Sequence, residues 1–329
     1  MQLHRLTQTI VRDQLTPAER TDAARAAETL LSAAYPGDAA DPATWPAWPA
    51  LIPHLLALDP GDFTTAHGRF AACEACWYLM DRGNAPAILP RLQQLHHTWT
   101  QQLGPDHALS TAQYLARAYS DTQNHAQARA LDEDTLERQR GVLGEDHPDT
   151  LRTACALAIR LADLGEVEAA RALGEDTLER QRRVRGEDHP DTLITASNLA
   201  TDLADLGEVE AARALGEDTL ERQRRVQGED HPNALRTACA LAIRLATLGE
   251  VEAARALGED TLERQRRVLG EDHPHTLITA SNLTTDLARL GEVEAARALG
   301  EDTLERQRRV LGEDHPNTLR TTGILTDGS

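Results

Sequence analysis

From about residue 104 onward, apolar positions recur at three- and four-residue intervals, and a breaker interrupts them at regular points. Between Pro190 and Leu206 (PDTLITASNLATDLADL), leucine and alanine fall at 193, 196, 199, 200 and 203, which is one face of an α-helix. Gly207 stops the stripe, and EVEAARALGEDTLERQRRV opens a second amphipathic helix. Proline at the first turn and glycine past the last is the punctuation expected of helix ends. The pentapeptide G-E-D-H-P restarts the pattern at Gly144, Gly186, Gly228, Gly270 and Gly312, a strict 42-residue period, with a degenerate G-P-D-H at Gly104. Self-similarity at such a period predicts a solenoid, each unit being two antiparallel helices joined by a tight turn. Full units are expected to begin near 62, 104, 144, 186, 228 and 270, with a half unit after Gly312.

A second layer of order lies inside the array. Residues 144–227 and 228–311 differ at only eight of 84 positions: 149, 150, 163, 185, 191, 200, 205 and 227 against their partners. The array therefore grew by duplication of a two-unit block. The segment LGEVEAARALGEDTLERQRRV (164–184) recurs unchanged at 206, 248 and 290, whereas the first helices alternate between R-T-A-C-A-L-A-I-R-L and I-T-A-S-N-L-A-T-D-L types. The second helix is a constant scaffold, and the first carries the differences. Gly174, Gly216, Gly258 and Gly300 fall mid-helix, where glycine costs roughly 0.5–1 kcal/mol relative to alanine. Their recurrence predicts a neighbouring helix passing too close for a side chain.

The pattern N-L-A-x-x-L-x-x-L-G-x-x-x-x-A, here Asn198-Leu199-Ala200, Leu203, Leu206-Gly207 and Ala212, resembles the tetratricopeptide repeat. The period and the L-G-E-D-H-P linker look most like the kinesin-light-chain type of that family. The resemblance spans roughly residues 62 to 325. It implies an all-α, right-handed helical-hairpin solenoid of about six repeats, whose first helices line a concave groove for a protein or peptide. Residues 1–61 differ. LHRLTQTIVRDQL suggests a short helix, and PGDAADPATWPAWPALIPHLLALDPGD reads as a proline- and tryptophan-rich connector. Both resemble the stretch that follows the nucleotide-binding and winged-helix domains of bacterial STAND-class (NB-ARC) signalling ATPases, which often end in ligand-sensing tetratricopeptide arrays. This resemblance implies a sensor arm acting on a nucleotide-binding ATPase domain encoded elsewhere. The other role open to such an array is a free-standing scaffold or adaptor for multiprotein assembly.

Composition narrows the chemistry. All 34 basic residues are arginine, against 53 acids, for a net charge of −19. Without lysine there is no Walker A loop, no kinase-type lysine and no Schiff base. The acidic balance argues against a nucleic-acid partner. Aromatics make up 3%, so leucine and alanine must build the core. Neither an 18-residue apolar run nor an apolar signal core is present, which points to a soluble, cytoplasmic chain with no membrane partner. Lysine-free, alanine- and arginine-rich usage fits a GC-rich bacterial gene.

Other candidate chemistry has plainer readings. Cys73 and Cys76 form a C-x-x-C pair in a helical stretch, but structural zinc needs four ligands and no second pair is near. They read as small buried residues. Successive G-E-D-H-P histidines (His147, His189, His231, His273, His315) belong to layers about 8–10 Å apart and cannot share one zinc ion. The motif reads as a helix start, with Asp146 at the N-terminus and Pro148 in the first turn. His96 and His97 are expected in solvent, and the arginines of E-R-Q-R-R are expected to pair with Glu175, Asp176 and Glu179 one turn earlier. No G-x-S-x-G elbow and no distinct carboxylate pair occurs. The chain is expected to be no enzyme and to need neither cofactor nor metal.

That leaves a binding surface. A helical wheel on ITASNLATDLAD places Ile194, Ser197, Asn198, Thr201 and Asp205 opposite the leucine–alanine stripe, and the alternate helix presents Arg152, Cys155, Ala156, Ile159 and Asp163 there. The second block repeats this with Arg236, Cys239 and Ile243, then Ile278, Ser281, Asn282, Thr285 and Arg289. Asparagine amides can pair both donor and acceptor of an extended backbone, and small apolar rungs leave pockets for its side chains. The family resemblance implies that backbone-clamping role for Asn198 and Asn282, and the alanines Ala156 and Ala240 depart from it. After Gly312 the chain begins another first helix, PNTLRTTGIL, with no second helix to cover it. That open end is expected to fray or to self-associate weakly.

Overall fold

The computed structural model describes residues 14–327, and all regular structure among them is helical. The short helix expected over LHRLTQTIVRDQL falls almost wholly outside the described residues. Two helices come first, α1 (Pro17–Ala33) and α2 (Trp48–Ala57). Antiparallel pairs follow: α3 (Ala66–Leu79) with α4 (Ala85–Leu103), α5 (Leu109–Asp121) with α6 (His125–Val142), and α7 (Pro148–Asp163) with α8 (Val167–Arg185). The series continues with α9 (Pro190–Asp205) and α10 (Val209–Gln227), α11 (Pro232–Thr247) and α12 (Val251–Val268), then α13 (Pro274–Arg289) and α14 (Val293–Val310). The last element is α15 (Pro316–Asp327). The first member of each pair is termed its A helix and the second its B helix; α15 follows as another A helix.

The A-to-B turns are closed by glycine, except between α5 and α6, where Gln123 takes the left-handed position at φ +63°. Gly165, at φ +80°, donates to the Ala162 carbonyl, and Glu166 N–H reaches the Leu161 carbonyl at 2.9 Å. These two bonds make a Schellman end, which needs the left-handed residue that glycine supplies without a Cβ penalty. The leucine–alanine stripe then packs across three helices. Leu178 of one B helix meets Ala196, Leu199 and Leu203 of the next A helix and Ala212 of its B partner. Successive units share the burial, so no hairpin is a separate core.

At the unit junctions the motif works differently from the expectation. His147, not Asp146, caps α7: its Nδ1 accepts from the Asp149 N–H at 3.2 Å, and Pro148 takes the first helical position. Asp146 instead faces the B helix of its own unit, pairing with Arg180 at 3.1 Å and Arg183 at 2.9 Å. Arg171 bridges to Glu208 of the following unit at 2.7 Å. The E-R-Q-R-R arginines are thus paired within the helix (Arg180–Asp176, 2.8 Å) and also between elements. Such exposed pairs add little individually, but they fix register along the outer face.

The mid-helix glycines also depart from the expectation. A Cβ on Gly174 or Gly258 would lie 3.5 or 3.6 Å from a leucine methyl, which is ordinary contact, so no helix passes too close there. At Gly216 it would come within 3.1 Å of Arg244 Nη1 and at Gly300 within 2.7 Å of the Leu325 side chain, so two of the four sites are crowded, by side chains and not by a helix backbone. Identical sequence in each B helix meets different side chains, because the facing A helices alternate.

The proline- and tryptophan-rich segment is no mere connector. Pro42, Pro49 and Pro60 sit in the first turns of short helices, where a missing N–H costs nothing, and Trp48, Leu51 and Leu55 enter one core with Ala71, Cys73, Cys76 and Trp99. Burial raises the Cys73 thiol pKa and pushes that of Cys76 up to about 12, the behaviour of inert core thiols. Among the described residues no cluster of His, Cys, Asp or Glu could hold a metal ion. Glu28 of α1 is buried and accepts from the N–H and hydroxyl groups of Thr64 and Thr65, which locks α1 onto the start of α3. His96 is half-buried rather than solvated. No helix among the described residues is long and apolar enough to cross a membrane.

Between α3 and α4 the chain kinks over Met80–Asn84. Gly83 has φ +80°, and a Cβ there would meet Pro274 at 3.4 Å. This close approach joins parts of the chain 192 residues apart: His273 Nε2 lies 3.3 Å from Asp81 Oδ2. The array curls until its beginning meets the start of α13.

Candidate binding groove

The A helices line the inside of the curl. Arg236 on α11 sits where its charge feels Arg117 of α5, the Cys155 thiol of α7 and Asp81 of the kink. Burial and the like charge of Arg117 lower the Arg236 pKa. Arg117 itself is held by Asp121 at 2.8 Å. For Asp81, burial alone would raise the pKa, but the His273 hydrogen bond and the charges of His273, His275 and Arg117 outweigh it and hold the carboxyl low. His275 stacks on His273, and its pKa is lowered to about 4 by burial first and then by His273.

The sequence-derived residues divide into floor and wall. Ser197 and Ser281 are buried between successive A helices, bonded to Thr237 and Thr321 at 2.9 Å. Cys155 and Cys239 are also buried, with thiol pKa values raised by burial. Each lies under an asparagine: the Nδ2 groups of Asn198 and Asn282 donate to the Cys155 and Cys239 sulfurs at 3.5 Å. The Oδ1 atoms of both asparagines accept no hydrogen bond among the described residues. Ile159, Ile194 and Ile278 are half-buried, and Ile243 is 45% exposed. Thr201 receives the buried Arg244 at 2.8 Å, and Thr285 bonds the Ser281 carbonyl at 3.3 Å. Asp205 and Arg289 are exposed at the far ends of α9 and α13. Arg152 is bound by Asp149 at 2.8 Å, whereas Arg236 forms no hydrogen bond or ion pair among the described residues.

Sequence reasoning missed Arg117, Asp121 and Asp81. The first two stand one period before Ile159 and Asp163, so the 42-residue register, extended into the degenerate unit, points to them. Asp81 has no such signal, because its place depends on the curl.

Windows 109–183, 161–224 and 191–267 match the tetratricopeptide repeat, and 276–317 match a second form of that repeat. No curated protein matches the chain. A Podosopora anserina protein described as a kinesin light chain with nearly identical TPR-like repeats is 26% identical, with TM-score 0.50 over 61% of this chain and 95% of that one. BtubC (BKLC) of P. vanneervenii is 18% identical, with TM-score 0.52 over 72% of this chain and 93% of that one. NprR in complex with its cognate peptide NprX shares the fold at 16% identity, TM-score 0.63, 98% of this chain and 92% of that one. With paired helices throughout and more than half its length matched by the repeat, the chain belongs to the tetratricopeptide repeat family.

Proposed function

We propose that the chain binds an extended peptide, or an extended segment of a partner protein, along the groove of its A helices. The observation that carries this reading is the pair Asn198 and Asn282. They recur 84 residues apart on equivalent A helices, each anchored through Nδ2 to a buried thiol, each with an Oδ1 available to a ligand N–H. An anchored amide loses little freedom on binding, which is what a backbone clamp requires. Solved proteins of the same fold include NprR with its peptide and Rap with competence and sporulation factor, which lends the reading support.

Selection from a displayed random-peptide library tests it. Asn198→Ala combined with Asn282→Ala should weaken the selected peptides by about 1–3 kcal/mol, the worth of two backbone pairings. Stability should barely change, because only two weak contacts to sulfur are lost. Undiminished binding by the double variant would sink the proposal.

For the use of this binding, a sensor arm is favoured over a scaffold by the Asp81–His273 contact. It ties α13 to the first repeat unit, against whose α3 packs the N-terminal segment that resembles STAND-class ATPases. The sensor role calls for a nucleotide-binding ATPase domain as its partner.

A further inference from the structure

The two duplicated blocks differ in charge, and the difference falls on the groove helices. Four of their eight differences remove a carboxylate: Asp149 becomes Asn233, Asp163 becomes Thr247, Asp191 becomes His275, and Asp205 becomes Arg289. All four lie in the first or last turn of an A helix. In the first block three of these acids are in use. Asp149 binds Arg152 at 2.8 Å, Asp191 binds Arg185 at 3.1 Å, and Asp163 lies 3.4 Å from His125. In the second block the arginine matching Arg152 is Arg236, and the acid three residues before it has become Asn233. Arg236 is left without an ion pair among the described residues, and its Nη2 is buried without a hydrogen-bond partner. The charge of another arginine, Arg117, reaches it, while Asp81, a carboxylate whose charge also reaches it, is engaged by His273.

An unpaired, partly desolvated guanidinium beside a like charge is unfavourable in the empty groove and becomes favourable only when a counter-charge arrives. The rest of the molecule makes that counter-charge selective. At −19, the surface repels acidic chains in general, so an anionic group gains only where positive charge is concentrated locally.

We propose that Arg236 is the counter-ion for a carboxylate of the bound peptide, which gives the groove a polarity: the acidic part of the ligand lies at α11 and α13, and its neutral part along α7 and α9. This inference rests on the groove-binding reading above. Arg236 is suited to the task because a guanidinium keeps its charge at any working pH and is less strongly hydrated than an ammonium. The duplication supplied two equal halves, and loss of acids from one of them set the direction.

The same displayed library separates this proposal from the one beneath it. Peptides selected on the full chain should be enriched in aspartate or glutamate, or should depend on a free C-terminus. Synthetic versions with amidated ends, and with glutamine in place of glutamate, identify which carboxylate is read. Arg236→Gln should erase the preference and weaken the selected peptides at least about tenfold, while Arg297→Gln, on the outer helix α14, should leave affinity unchanged. Thermal unfolding of Arg236→Gln should occur at or above the wild-type midpoint, since no partner is lost; a lower midpoint would assign the arginine a structural role and overturn the proposal. Peptides that need Asn198 and Asn282 but show no carboxylate preference would overturn this inference and leave groove binding standing. A library yielding no groove-dependent binders would overturn both.

Discussion

The glycine at the centre of each B helix offers a controlled experiment, because one sequence is repeated against different neighbours. At Gly258 an added Cβ would lie 3.6 Å from a Leu283 methyl and 4.0 Å from its Cβ. Nothing must move, so alanine there gains the helix-backbone term of roughly 0.5–1 kcal/mol, and the new buried methyl adds up to about 0.8 kcal/mol. Gly258→Ala should therefore stabilise the chain by about 1 kcal/mol. At Gly300 the same substitution meets Leu325 at 2.7 Å and the Thr284 methyl at 3.0 Å. Thr284 is buried, and its hydroxyl holds the Ala280 carbonyl at 2.9 Å, so its rotamer is fixed and cannot yield. Overpacking of this kind costs about 1–3 kcal/mol and cancels or reverses the gain. Urea unfolding of both variants by far-ultraviolet circular dichroism reads the difference. Amide exchange across 251–268 and 293–310 would localise it, since repeat arrays need not unfold in two states. A fall in midpoint for Gly258→Ala, or equal shifts for both variants, would refute the reasoning, because packing differences alone set the two sites apart.

The buried glutamines are a second target: Gln223 is fully buried, and neither end of its amide has a partner among the described residues, so Gln223→Met should raise the unfolding free energy by about 1–3 kcal/mol in the same urea assay. Asp202 is 5% exposed, and burial, then the charge of Asp205, raises its pKa from 3.8 to about 6. A carboxyl raised on folding destabilises the native state when ionised, so its penalty is absent below pH 3.8, grows as pH rises, and is complete above about 6. Asp202→Asn should then stabilise by up to ~3 kcal/mol at pH 7.5 and by almost nothing near pH 4. A gap between the two proteins that does not change with pH would contradict this assignment.

Much of this architecture is legible in the amino-acid order. The 42-residue period, the leucine–alanine stripe and the glycine after the first helix of each G-E-D-H-P unit specify paired helices stacked in a solenoid, because they encode contacts between neighbours in sequence and in the next unit. The same register put Asn198 and Asn282 on equivalent A helices, and the block comparison exposes which charges changed. Other features depend on where side chains arrive in space. Asp146 could cap its helix or reach for Arg180, and only packing against the B helix shows that it does the latter. Ser197 reads as a groove rung on a wheel, yet the next A helix covers it and bonds it to Thr237. The proline- and tryptophan-rich segment looks like a linker by composition, but its aromatic rings complete a core whose other half begins at Ala71. Furthest from the sequence is the meeting of Asp81 with His273 and the isolation of Arg236. Each unit adds a small rotation to the last, and no local pattern records where those rotations bring residues 192 positions apart. Nearest-neighbour contacts are written in the repeat; the curvature that brings the start of the array to α13 is the accumulated result of packing them in three dimensions.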